Sequence, residues 1–203
     1  MRPMLNTLAA LALVTMPLAA PAVAQMPGAA DLSRVEAGTY KVDPNHTQVI
    51  LKVNHMGITP LYGAFAAGDG TLTIDPKNPT AAKVTVSFPL TGLTVTSPGF
   101  MKHLSSADFF DAAKYPDAQF VSTSVRVDGK EATITGNLTI KGITKPVTLE
   151  AEFYGAGANP QSQALNIGFK AETTIKRSDF GLGMAVPVVS DEVELEIVAA
   201  FVK

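Results

Sequence analysis

The chain of 203 residues has no cysteine, no tryptophan, only three histidines and no large excess of charge of either sign. Each lack excludes something. Without cysteine there is no disulfide framework and no thiol nucleophile, so stability must come from burial and from backbone hydrogen bonds. Without tryptophan the bulkiest core filler is missing, and many presumptive inward positions are Ala, Val, Thr or Gly. No Gly-x-Ser-x-Gly elbow is present. The pair Gly155 and Gly157 lies in a polar stretch, without the spacing or helix of a phosphate cradle. The balance of 16 basic against 18 acidic residues argues against a surface that tracks phosphates, and so against nucleic acid.

What is present begins with an export pattern. Arg2 supplies a positive start, residues 8–14 form a short apolar run, and Ala22-Val23-Ala24 offers small residues at a cleavage site. A membrane anchor would need about 20 apolar residues, and this run is too short. The pattern predicts a secretory signal peptide over 1–24, cleaved after Ala24. Removing 24 of 203 residues leaves 179, enough for one domain with a sizeable core. Arg2 is the only charge lost, so 15 basic residues remain against 18 acidic ones. Residues 25–38 are small and polar, with Pro27, Gly28 and Gly38, and read as a loose leader.

From residue 39 onward the period is two. Val49, Leu51 and Val53 fall on one face of an extended chain, and Gln48, Lys52 and Asn54 on the other. Val147, Leu149, Ala151 and Phe153 alternate with Thr148, Glu150 and Glu152. Val193, Leu195, Ile197, Ala199 and Phe201 stand opposite Glu192, Glu194 and Glu196. Turns are expected at Gly68-Asp69-Gly70, Asp128-Gly129 and Lys141-Gly142, and 155–163 reads as a polar loop. One apolar and one wet face per strand fits an antiparallel sheet, not a βαβ sheet buried on both sides. Residues 165–176 are twelve in a row, about 40 Å of strand at about 3.3 Å each. About eight such strands, rolled up, make a tall narrow barrel without free edges.

Residues 98–114 break the rhythm. Met101, Leu104, Phe109 and Phe110 fall near helical spacing, Ser97 is placed to cap a first turn, and Pro98 takes the first helical position. One or two short helices are therefore expected inside an otherwise β chain. Two interiors fit the pattern: a core packed by Phe65, Phe88, Phe109, Phe153, Phe169 and Phe201, or a tunnel lined by small apolar groups. Alternation by itself also fits an outer-membrane barrel with its apolar face outward. Many Lys and Glu on one face, irregular strand lengths and the inserted helix favour a soluble cup. His46, His55 and His103 with Asp43 are the one set that suggests a zinc site, and with it a metal-dependent hydrolase or isomerase. His46 and His55 are nine residues apart, so a regular strand would hold them about 30 Å apart.

Several separated blocks in order carry a family resemblance. Asp43-x-x-His46-Thr47, then His55-Met-Gly with Leu61-Tyr62-Gly63-x-Phe65, open it. Lys102-His103-Leu104, Asp108-Phe109-Phe110 and Lys114-Tyr115-Pro116 follow, then Gly136 to Ile140 and Gly142 to Val147. Asp179-Phe180-Gly181 and Ser190-Asp191-Glu192-Val193 close it. Together, over 40–203, these resemble the YceI-like family. The chain departs from it at Tyr40, where many members have Trp, and at Gly99-Phe100-Met101, where many carry an Arg-Asp pair.

The resemblance implies an all-β fold over 39–203: an extended eight-stranded antiparallel, lipocalin-like barrel. It implies a periplasmic carrier of a long isoprenoid (quinone- or polyprenyl-type) or similar amphiphilic lipid, without catalysis or cofactor. It puts the mouth near the insert, lined by Leu61, Tyr62, Phe65, Phe100, Met101, Leu104, Phe109 and Phe110. His46, His103 and Arg177 are then the candidates for the head group. A homodimer and a transient contact with a membrane surface are compatible with this class.

Overall fold

The computed structural model describes residues 26–203; the predicted signal segment 1–24 lies outside them. Eleven ladder segments form eight physical strands, because three strands are kinked midway. Strand β1 comprises Gly38–Val42 and Gln48–His55, β2 Thr59–Ala66 and Asp69–Ile74, and β3 Lys83–Pro89 and Leu93–Thr94. The other five are β4 Asp117–Asp128, β5 Glu131–Ile140, β6 Ile143–Ala158, β7 Leu165–Lys176 and β8 Glu192–Val202. Each pairs antiparallel with its sequence neighbour, and β8 returns to both halves of β1, so the sheet closes into a barrel.

The three kinks lie side by side. In β1, Thr47 substitutes for the ladder: its hydroxyl donates to the Ala200 carbonyl (3.1 Å) and accepts from the Ala200 N–H (3.0 Å). In β2 the Ala67 N–H donates to the Thr47 carbonyl, and Gly68 N–H to that of Ser87. In β3 a single 3₁₀ turn, Leu90–Gly92, makes the break, and the Leu90 N–H donates to Pro116. The bends satisfy their own polar groups, which a buried bend requires.

Most strand apolar side chains point inward, with Val121, Tyr154 and Val198 among the exceptions on the outer face. Tyr40, Leu72, Val86, Ile167 and Phe201 are buried, while Glu150, Glu152, Lys170, Glu172, Glu194 and Glu196 are exposed. A surface carrying that row of carboxylates and ammoniums cannot face hydrocarbon, which rules out the membrane-spanning barrel. Two buried clusters stand at different heights. The lower holds Tyr40, Leu72, Phe153, Ile167 and Phe201, with Phe153, Phe169 and Phe201 in edge-to-face contact at 5.8 and 6.2 Å. The upper holds Leu90, Leu93, Leu104, Phe110, Phe180 and Leu182.

One α-helix is present among the described residues: α1, Pro98–Ser105, with Pro98 in its first turn. Ser97 caps it by accepting from the Phe100 N–H at 3.2 Å. Phe109 and Phe110 lie in turns after it, not in a second helix. The Lys141-Gly142 turn has positive φ at both residues (52° and 75°), as a tight hairpin of this hand needs.

Two expectations need correction. The leader is tied down from Ala29 onward: Ala29 and Ala156 exchange backbone hydrogen bonds at 3.1 and 2.9 Å, Val35 is buried, and Tyr40 donates to the Glu36 carbonyl. And β6 does not stop near Tyr154 but runs through Gly155-Ala-Gly157 to Ala158. The two corrections have one cause. The leader's backbone lies against Gly155 and Gly157; a Cβ at Gly155 would stand 3.2 Å from the Ala29 carbonyl oxygen, and one at Gly157 would collide with that of Pro27. The glycines that resemble a loop are the seat for another strand-like segment.

Candidate functional site

The barrel holds a cavity of about 540 Å³. It is lined at the lower end by Leu32, Lys83, Lys130 and Glu131, and at the upper end by His55, Tyr62, Met184 and Val189. On β7 the lining residues run from Phe169 through Ala171, Thr173 and Ile175 to Arg177. Eight residues of strand make that about 26 Å at about 3.3 Å each, so the space is long and slender. The six phenylalanines that a packed core would have used, Phe65, Phe88, Phe109, Phe153, Phe169 and Phe201, all border the cavity instead of filling it.

Its width comes from a row of small residues. Ala132, Ala151 and Ala171 are cross-strand partners on β5, β6 and β7, and all three face the lumen. Ile197, Val49 and Phe65 continue the row on β8, β1 and β2.

Of the eleven residues predicted for the site, nine border the cavity: Leu61, Tyr62, Phe65, Phe100, His103, Leu104, Phe109, Phe110 and Arg177. Helix α1 explains three of them, since Phe100, His103 and Leu104 share one face at i, i+3 and i+4 spacing. Met101 is rotated off that face. It borders a separate shallow hollow with residues 93–98 and so does not belong to the lining. His46 is also misplaced. It sits at the β1 kink, its side chain 74% exposed, with Nδ1 2.7 Å from Asp43 Oδ2. Burial pushes the Asp43 carboxyl up, but hydrogen bonds from His46 and Asn45 outweigh it and hold the group below its ordinary value. His46 therefore helps fix a bend outside the lumen.

Arg177 differs from its expected role. It is 4% exposed, and its guanidinium is spent largely on backbone. Nε donates to Ser190 (2.8 Å), Nη1 to Leu182 and Met184, and Nη2 to Val189 (2.9 Å). Four carbonyls of residues 182–190 thus converge on one side chain, and the Phe109 ring lies 6.0 Å away. Burial lowers its pKa, and the charge of Asp191 opposes that. A second brace closes the same loop: Ser178 donates from its N–H (2.8 Å) and its hydroxyl (2.7 Å) to the Asp191 carboxylate. Those bonds hold Asp191 below its ordinary pKa. Residues 177–191 form a pinned cap at the upper end.

Apart from His46, sequence reasoning named only upper-end residues. It missed the deeper wall of Ala151, Ala171 and Ile197 as lining, although its period-two reading had put Ala151 and Ile197 on the apolar face of their strands. It also missed Leu32 of the leader and Val189 of the cap, which no local pattern marks. Among the described residues no group of three His, Asp or Glu is placed to hold a metal ion.

The comparisons agree with this architecture. The family model for the YceI-like domain matches residues 40–201. The chain is 46% identical over 163 residues to Protein YceI of Escherichia coli O157:H7, covering 79% of this chain and 85% of that one. Among solved structures it is similar to BcnA of Burkholderia cenocepacia, with a TM-score of 0.68 at 26% identity, over 78% of this chain and 98% of that one. A polyisoprenoid binding domain from Saccharophagus degradans, implicated in plant cell wall breakdown, shares the fold with a TM-score of 0.61. At 13% identity over 80% of this chain and 97% of that one, the likeness is one of fold alone.

Proposed function

The chain belongs to the YceI-like domain family, and from that premise we propose that it is a periplasmic carrier that holds a long isoprenoid or similar amphiphilic lipid inside its barrel, without catalysis. The carrying observation is the slender lumen, about 540 Å³, walled by Ala, Val, Leu, Ile and Phe. Each methylene moved from water into such a wall stabilises a complex by about 0.8 kcal/mol before ordering costs. Chain length then sets affinity, and few polar contacts are needed.

The polar groups favour one orientation. His55, His103 and Arg177 border the upper end, and Arg177 uses four of its five N–H donors on carbonyls. One donor and a buried positive charge remain for a head group, while the tail runs down past Ala171 toward Phe169. The Saccharophagus degradans domain, described as polyisoprenoid-binding, supports this reading by its shared fold. The export pattern of residues 1–24 supports the compartment.

The test is organic extraction of protein purified without detergent, followed by mass spectrometry. A long-chain isoprenoid or related lipid in near-equal amount to protein is expected. Protein that emerges free of lipid, and binds none when polyprenyl lipids are offered, would remove the proposal.

A further inference from the structure

We propose that the upper rim of the barrel is a bilayer-docking surface, and that the lumen opens there directly into the apolar layer of a membrane. This rests on the carrier reading above and adds where the guest enters.

Six large apolar side chains stand exposed at this end: Met56 (55%), Ile58 (74%), Tyr62 (54%), Met184 (42%), Val186 (38%) and Val188 (54%). They come from two segments far apart in sequence, the β1–β2 hairpin and the cap. These segments are joined: the Met56 N–H donates to the Val188 carbonyl at 2.8 Å, His55 bridges to Val189, and Ser190 N–H donates to Asn54. The patch is therefore one surface held in shape, not scattered side chains. Residues 56–65 and 180–190 contain no charged residue.

Three observations select the occupant. First, the patch is continuous with the lumen, since Tyr62 and Met184 are exposed on the rim and also line the cavity. Whatever covers the patch covers the mouth. A protein seated there would seal it, whereas a bilayer would supply it, sparing an insoluble tail any passage through water. Second, the segments 56–65 and 180–190 that carry the patch hold no charged side chain, whereas the lower end has Lys83, Lys130 and Glu131 at its edge, and charged groups are costly in an apolar layer. Third, Tyr62 on the rim is the kind of residue that settles at the membrane–water boundary. The exported chain, with 15 basic and 18 acidic residues, has no excess positive charge to attract anionic lipid. Docking by this rim is a matter of apolar insertion and is independent of salt.

The absence of tryptophan makes the test clean. Ile58→Trp and Val188→Trp each place a single indole on the rim, and Tyr154→Trp places one on the exposed outer wall. Lipid-loaded protein is mixed with phosphatidylcholine vesicles. Blue-shifted emission and quenching by brominated lipid are expected at 58 and 188 but not at 154, unchanged in high salt. Ile58→Asp and Val188→Asp are expected to lower the vesicle-bound fraction about tenfold each, the scale for withdrawing one large aliphatic group from an apolar phase. Their lipid content on extraction stays intact. Equal shifts at all three sites, no shift at the rim, or a rim shift on concentrating protein without vesicles (a second copy covering the patch) would each overturn the proposal. An empty extract together with rim insertion would sink the carrier reading and leave the docking surface standing.

Discussion

Replacing Ala171 with phenylalanine separates a hollow barrel from a packed one. Ala171 faces the lumen in the row Ala132–Ala151–Ala171–Ile197, where three neighbouring strands present methyl groups. A phenyl ring there enters space, not neighbouring side chains. It displaces about one five-carbon unit of a guest tail, and at about 0.8 kcal/mol per carbon group that is about 4 kcal/mol, or about a thousandfold in affinity. The same ring is buried among apolar groups, so the protein itself is expected to gain up to about 1.5–3 kcal/mol. The two effects have opposite signs, which a damaged fold cannot mimic. Val198→Phe, on the exposed outer face of β8, is the control and is expected to change neither. The assay pairs urea unfolding with competitive displacement of a fluorescent polyprenyl probe by lipids of increasing chain length. Wild type is expected to gain affinity with each added unit, and the variant to stop gaining earlier. A variant that is destabilised by about 2 kcal/mol or more would mean the row is already filled. An unchanged chain-length dependence would mean the tail does not pass Ala171.

Arg177→Met leaves four cap carbonyls without their donor and is expected to cost about 3–5 kcal/mol in denaturant unfolding; Arg177→Lys, a point charge without the planar fork, is expected to restore less than half of that loss. Gly157→Val forces a side chain into the Pro27 carbonyl, so the leader should detach, seen as faster hydrogen exchange at Ala29 with the barrel amides unchanged. Asp191 titrates below its ordinary value of 3.8 because Ser178 donates to it twice. The brace therefore contributes fully above that value and is lost as pH falls through the lower, folded one, loosening the cap; Ser178→Ala, which loses the hydroxyl donor but keeps the backbone N–H, is expected to weaken this acid dependence of cap-amide exchange. His46→Ala, outside the lumen, is expected to leave lipid affinity unchanged in the displacement assay, against its place among the predicted head-group contacts.

Much of the fold was legible because one face of each strand had to be wet. The alternation of Leu149, Ala151 and Phe153 with Glu150 and Glu152 dictates which side chains point inward, and Ser97-Pro98 marks the start of α1. The inner wall follows from that, whereas closure rests on the long-range pairing of β8 with both halves of β1. Illegible features depended on contacts distant in sequence. Gly155 and Gly157 look like a loop until the leader is laid against them. Met101 and Phe100 are adjacent and equally apolar, and only the rotation of α1 puts one in the lumen and the other out of it. Arg177 reads as a free cation, yet the four carbonyls it gathers lie five to thirteen residues downstream, in a loop whose path no local pattern specifies. Whether six phenylalanines fill a core or border a channel depends on barrel diameter, which strand periodicity does not contain.

The most direct measurement of where the guest lies is photocrosslinking with a polyprenyl lipid carrying a diazirine at its tail end, followed by peptide mapping. A tail lying down the lumen labels Ala151, Phe153 or Phe169, deep on the inner wall. Labels confined to outward positions such as Tyr154 or Val198 would contradict an interior site.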